Sequence, residues 1–144
     1  MDAELFKHKT NIDIRFVDID AFNHVNNANY LTYLEIARVK YFDEIADWKY
    51  DWSKKGIILA KAEIDFIIPI QFNDEVFVYT RCSRLGNKSL DLEYRIVRNA
   101  AHGNEQLMAD GVTVLVAFDY VEKKTIEIPP EWKEAIQKFE GREL

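Results

Sequence analysis

The chain has a single cysteine, Cys82, and so cannot form an internal disulfide. A reducing, cytoplasmic setting is the simplest expectation. Its three histidines, His8, His24 and His102, stand far apart. With only one cysteine to join them they make no zinc-ligand spacing, and no metal is expected. Residues 1–10 lack the apolar core of a signal peptide, and no apolar run approaches ~18 residues. Internal repeats, low-complexity tracts and linkers are missing too. Positive charge is in deficit: 19 basic against 25 acidic residues leave a net charge of −6. That balance argues against nonspecific binding to nucleic acid or to an anionic membrane. What remains is a soluble, cytosolic, single domain over 1–144. At 144 residues and 48% hydrophobic content it is long enough for a real core.

Periodicity divides the chain into elements. Residues 11–17 alternate Ile12, Ile14 and Phe16 against Asp13 and Arg15, the period of a half-buried strand. A helix follows over 28–46, with Tyr30, Leu34, Ala37, Tyr41 and Ile45 in one stripe. Leu31, Tyr33, Ile36, Val39 and Phe42 widen that stripe around most of the cylinder, so burial on nearly all sides is expected. Lys54-Lys55-Gly56 reads as a loop. Strands are expected at 57–68, 75–83, 89–98 and 106–118, with turn signals at Asn73-Asp74, Leu85–Lys88 and Ala101–Asn104. Pro69 ends the first of these or marks an edge. Gly111 inside the last signals a bulge or a close backbone approach. A short strand at 125–128 is possible on the same grounds, and Pro129-Pro130 opens an amphipathic terminal helix that Gly141 ends. Strands in hairpin succession imply an antiparallel sheet, and one apolar helix against it gives an α+β fold.

Chemistry concentrates in Asp18-Ile19-Asp20-Ala21-Phe22-Asn23-His24-Val25-Asn26-Asn27-Ala28-Asn29-Tyr30. Two carboxylates, an imidazole and four amides precede a helix start. Backbone N–H groups there are unpaired and partly positive, a place to hold an oxyanion beside a carboxylate and a histidine. Asp and Asn also favour turns and helix caps, so a capping loop explains the same residues.

The run DIDAFNHVNNANYLTYLEIARVKYF resembles the signature of hotdog-fold acyl-CoA thioesterases of the 4-hydroxybenzoyl-CoA thioesterase type. That signature is roughly D-x-D-x-x-G-H-V-N-N-x-x-Y, followed by a helix with an acidic residue and A-R. KAEIDFIIPIQFNDEV, SRLGNKSLDLEYRI and MADGVTVLVAFD are similar to the family's later strands, in the same order, and the likeness covers residues 10 to about 130. The resemblance implies a hotdog fold: an antiparallel sheet of about five strands wrapped around one long central helix, with a short C-terminal helix. It implies hydrolysis of a fatty or aromatic acyl-CoA to the free acid and CoA. The reaction is carboxylate-dependent and metal-independent, and coenzyme A is part of the substrate rather than a cofactor. It also implies a homodimer or homotetramer with sites between subunits. By position Asp20 corresponds to the catalytic carboxylate, the backbone N–H of Asn27 to the oxyanion donor, and His24 to the histidine of H-V-N-N, which either acts directly in catalysis or is a structural hydrogen-bonder. Plant acyl-carrier-protein thioesterases place an asparagine two residues after the aspartate; Phe22 stands there, so their triad does not carry over. Asn23 replaces the family glycine; Asn is the residue best able to keep a positive φ, and as a contact of the thioester it would narrow the pocket.

Each remaining candidate has two readings. Asp18 shapes the turn. Glu35 either pairs with Arg38 on an exposed stripe or, as the resemblance implies for some hotdog enzymes, has a catalytic or water-positioning role. Arg81, Arg84, Lys88, Arg95 and Arg98 gather around one hairpin with Asp91 and Glu93; they either grip phosphates or form a solvated strand face. The resemblance places CoA contacts at Arg84, Asn87, Lys88 and Ser89. Tyr30, Tyr33, Leu34 and Phe66 either line an acyl pocket or belong to the core. Cys82, in phase with Val76, Val78 and Thr80, reads as a packed strand residue. The alternatives to an acyl-CoA thioesterase are an acyl-carrier-protein thioesterase and a non-catalytic acyl-CoA-binding module. Asp20 and the absence of room for a second domain disfavour the last.

Overall fold

A computed structural model describes residues 5–46 and 53–144. The apolar stripe forms a 20-residue helix, α1 (Asn27–Ala46). The strands are β1 (His8–Ile12), β2 (Lys55–Phe66), β3 (Val76–Leu85), β4 (Ser89–Asn99) and β5 (Glu105–Asp119). They form one sheet in the order β1-β3-β4-β5-β2, every pair antiparallel, and a two-residue β6 (Lys124–Thr125) joins the end of β5. The sheet curls, and its inner face packs on α1. Leu90, Leu92, Tyr94 and Ile96 of β4 alternate into that face and meet Tyr33, Leu34, Ala37 and Tyr41 of α1 in one core. The hairpin at 85–89 closes with the Gly86 N–H on the Ser89 carbonyl at 2.7 Å. Gly111 is a close approach and not a bulge: a Cβ there would lie 3.0 Å from the Glu63 carbonyl oxygen and 3.5 Å from Leu34 Cδ1.

Three expectations need correction. The first strand is His8–Ile12, not 11–17. His8 and Thr10 turn inward beside Ile12, so the inward face of β1 is mostly polar. Phe16 lies in a 3-10 turn (Phe16–Asp18) and is 81% exposed. The second strand begins at Lys55, so the expected loop at Lys54–Gly56 is mostly strand. A register shift between Leu59 and Lys61 breaks its alternation, and Ile58, Leu59 and Phe66 are exposed. Finally, α1 is not covered all round. Leu31, Ile36 and Val39 are exposed within one chain.

The terminal helix α2 (Pro130–Glu140) starts at Pro130 and ends on Gly141 at φ 73°, as its punctuation predicts. Its last residue, Glu140, is buried, which the amphipathic pattern did not announce. β1 ends opposite Thr80, so further along β3 the Cys82 N–H has no strand partner on that side. Glu140 supplies the acceptor at 2.9 Å, and its same oxygen takes the Tyr41 hydroxyl at 2.5 Å. Burial and the adjacent carboxylate push the Tyr41 hydroxyl far above the usual range, which keeps it a donor. Lys7 Nζ closes the helix end on the Glu140 carbonyl at 2.9 Å. Glu140→Ala strands two buried donors and should cost about 3 kcal/mol. Thermal denaturation should read this as a fall of roughly 10 °C in Tm; an unchanged Tm would show that α2 is not anchored through this carboxylate.

Candidate active site

The segment between β1 and α1 folds back on itself because its polar residues bond to one another. Ile19 and Val25 form an antiparallel bridge, and inside it the Asp20 N–H donates to the His24 carbonyl at 3.0 Å. Asp20 Oδ1 accepts the Phe22 N–H at 2.9 Å, and the Asn23 N–H returns to the Asp20 carbonyl at 3.0 Å. Asn23 sits at φ 69°, the positive value anticipated for a glycine substitute. The Val25 N–H ties the loop to the Ile70 carbonyl at 2.8 Å. Asn26 then caps α1, its Oδ1 taking the Ala28 N–H at 2.9 Å. The Asn27 N–H, first in the helix, has no acceptor among the described residues. The run is a capping loop, and among the described residues it leaves the Asn27 amide without an acceptor.

A pocket of about 370 Å³ lies beside that residue. Asp20, His24, Asn27, Tyr30 and Phe66 all line it, as do Phe22, Val25, Ile67, Ile68 and Pro69. One wall is therefore the polar loop and the helix start; the other is the end of β2 and the segment after it. Phe66 stands edge-on to Tyr30 with ring centroids 4.9 Å apart, and Tyr30 is buried beneath it. Burial raises the Tyr30 hydroxyl above its usual range, against a hydrogen bond with the Ile70 backbone. The His24 ring, half-buried, has no hydrogen-bond partner among the described residues. Phe22 lay in plain sight inside the signature run, but only the folded loop shows it lining the pocket. Ile67, Ile68 and Pro69 carried no signal beyond ending a strand.

Other candidates sit elsewhere. The Asn23 side chain is at the exposed tip of the turn, outside the pocket lining. Tyr33 and Leu34 are fully buried in the core rather than in the pocket. Asp18 is also buried, and its carboxylate holds Arg15 and the Tyr33 hydroxyl. Burial would raise that carboxyl, but the bonds from Arg15 and Tyr33 outweigh it and hold it below the ordinary range. The Glu35–Arg38 ion pair does not form; Arg38 turns to the Tyr94 hydroxyl at 3.3 Å, and Glu35 stays exposed. Cys82 is fully buried, and burial pushes its thiol up to about 12, consistent with a packed residue. Among the described residues, no group of three or more His, Cys, Asp or Glu is placed to hold a metal.

The basic hairpin is mostly neutralised. Arg81 pairs with Glu93, Arg84 with Asp91 and Arg98 with Asp74. Arg84 also holds the Ser89 hydroxyl at 2.8 Å. Exposed Lys88 is left without a partner among the described residues. This hairpin is far from the pocket within one chain. Phe66 is level with Ala109, which is level with Ile96, seven residues along β4 from Ser89. At ~3.3 Å per residue that is roughly 23 Å.

An antiparallel sheet of this strand order curled on one long helix is the hotdog fold of thioester hydrolases, and the chain belongs to the thioesterase-like superfamily, whose family model matches residues 14–136. Its similarity to particular members is broad. A thioesterase from Thermus thermophilus, solved in complex with coenzyme A and zinc, is 36% identical over the full length of both chains, with a TM-score of 0.83. The long-chain acyl-CoA thioesterase FadM of Escherichia coli K12 is 24% identical over 91% of this chain and 98% of FadM. YsmA of Bacillus subtilis 168 is 26% identical over 62% of this chain, a match that spans only 60% of YsmA. A 4-hydroxybenzoyl-CoA thioesterase variant complexed with 4-hydroxybenzoyl-CoA, 20% identical over 89% of this chain and 96% of its own, shares the fold with a TM-score of 0.82. No helix among the described residues is long and apolar enough to cross a membrane.

Proposed function

We propose that the chain hydrolyses acyl-CoA thioesters to the free acid and coenzyme A, with Asp20 as the reacting carboxylate and the Asn27 N–H as the oxyanion donor. The observation that carries this reading is that Asn27, whose N–H at the start of a 20-residue helix has no acceptor among the described residues, lines the same pocket as Asp20 and His24. Asp20 uses one oxygen to accept the Phe22 N–H, leaving the other for chemistry. Acting as base, it takes a proton from water as the water oxygen bonds to the carbonyl carbon. The carbonyl oxygen gains the negative charge and is held at the Asn27 N–H, aided by the helix dipole. The C–S bond then breaks, the carbonyl reforms, and the thiolate takes a proton from Asp20 or His24. Acting as nucleophile, Asp20 would instead bond to the carbonyl carbon and expel the CoA thiolate, which takes a proton from His24 or water, leaving an anhydride that water cleaves to the free acid and the Asp20 carboxylate. Hydrolysis in ¹⁸O-labelled water separates the routes, because only the anhydride route can leave label in Asp20. No metal is needed in either, so activity should survive a chelator.

The acyl group would lie against the exposed Phe66 ring, with Tyr30 packed beneath it. FadM is named for long-chain acyl-CoA, which makes that class the first to assay, alongside shorter, aromatic and carrier-protein thioesters. Release of free thiol from none of them would sink the reading.

The nucleotide of CoA would meet Lys88, a cation of the hairpin without a partner among the described residues, with Asn87 and Ser89 beside it. Arg84 is held by Asp91, so its part is to brace the turn. Lys88→Ala should raise KM for acyl-CoA roughly tenfold, the scale of one charge-assisted contact. A pantetheine thioester, which lacks the nucleotide phosphates, should be unaffected, and the difference should shrink as salt rises. Equal effects on both substrates would remove Lys88 from the CoA site. Because hairpin and pocket lie at opposite ends of one chain, the complete site would combine the pocket of one protomer with the hairpin of its partner in a two-fold homodimer.

A further inference from the structure

We propose that Asp18 and Tyr33 are positioning residues that fix the Asp20 carboxylate relative to the Asn27 N–H. This rests on the roles assigned above to Asp20 and Asn27. The Asp18 side chain is wholly buried and takes four donors. Arg15 Nε at 3.2 Å and Nη2 at 2.8 Å reach Oδ1; the Arg15 N–H at 3.1 Å and the Tyr33 hydroxyl at 2.8 Å reach Oδ2. A buried carboxylate so fully engaged cannot rotate without leaving donors unpaired. Its main-chain carbonyl meanwhile takes the Asn26 N–H at 2.8 Å and Asn29 Nδ2 at 3.2 Å. One residue thus holds α1 at its cap, in its first turn and, through Tyr33, a turn further on. Asp20 follows Asp18 by two residues, and Asn27 follows Asn26 by one. Any shift of Asp18 against α1 therefore changes the separation of the carboxylate and the oxyanion donor. Both must meet the same carbonyl group, and such reactions are sensitive to small misplacements. Neither Asp18 nor Tyr33 lines the pocket, so their influence passes through Asp20 and Asn27.

Tyr33→Phe is the decisive variant, because it removes one donor and keeps the buried ring; Asp18→Asn would strand the Arg15 charge and risks unfolding the segment. In steady-state assays Tyr33→Phe should lower kcat about tenfold, short of the ~100-fold cost of a 1 Å misplacement, with KM for acyl-CoA unchanged. Amide exchange at Asn27 and Ala28 should quicken, while the fold, read by circular dichroism, stays intact. Placed on Asp20→Asn, the substitution should lower the residual rate no further. Wild-type kcat in Tyr33→Phe, with Asp20→Asn inactive, would overturn the positioning role and leave Asp20 standing. The same tenfold loss in the Asp20→Asn background would overturn it as well. Near-normal turnover by Asp20→Asn alone would remove Asp20 and this proposal together.

Discussion

Asp20→Asn is expected to lower kcat at least ~100-fold, the scale of losing a general base. The substitution keeps the shape of the side chain and an oxygen for the Phe22 N–H, so the turn that Asp20 closes should survive. KM should change little, because the acyl wall of Tyr30 and Phe66 and the free Asn27 N–H remain. The contrast with Asn27 is part of the test. Its role is through the main chain, so Asn27→Ala should leave turnover within a few-fold of normal. If Asp20→Asn turned over normally with the loop intact, the chemistry would have to move elsewhere in the pocket, and His24 would be its first candidate.

The candidate loop was legible in the sequence because many of its interactions are local. Asp20, Asn23 and Asn26 each bond within a few residues, and the left-handed conformation of Asn23 follows from its own chemistry. The D-x-D pattern does not say which carboxylate is buried. That division arises only when Tyr33, fifteen residues on, turns its hydroxyl to Asp18. Long-range partners were hidden for the same reason. Glu140 bonds residues 58 and 99 positions away, so the amphipathic pattern of its own helix carries no sign of them. β1 was misplaced because alternation rewards apolar inward residues, whereas the real strand turns His8 and Thr10 inward. The false continuation through Ile14 and Phe16 failed once Asp18 drew the chain into its 3-10 turn. Hairpins fared better, since Leu85–Lys88 and the 101–104 turn carry their geometry in a few residues.

A dimer-breaking substitution should have a comparably large effect. β2 is one of the two outer strands of the sheet, and its far edge, unpaired among the described residues, would invite pairing or need cover. Ile58 at 37% exposed and Leu59 at 46% lie on it, and Val39 at 54% lies on the uncovered side of α1. Clustered apolar exposure of this kind marks an interaction surface. A second copy meeting β2 and the open side of α1 about a two-fold axis would cover both. It would also bring a hairpin bearing Lys88 toward the opposite pocket. Light scattering at micromolar concentration should therefore report twice the chain mass. Val39→Glu and Leu59→Lys, each exposed within one chain and so tolerable to its fold, should shift the protein to monomer. They should lower acyl-CoA hydrolysis on the order of 100-fold, as expected when one wall of a positioned site is lost. A pantetheine thioester should suffer less, because it does not need the partner's hairpin. Two results would overturn the shared site: a fully active monomer, or variants that remain dimeric and active with both charges in place.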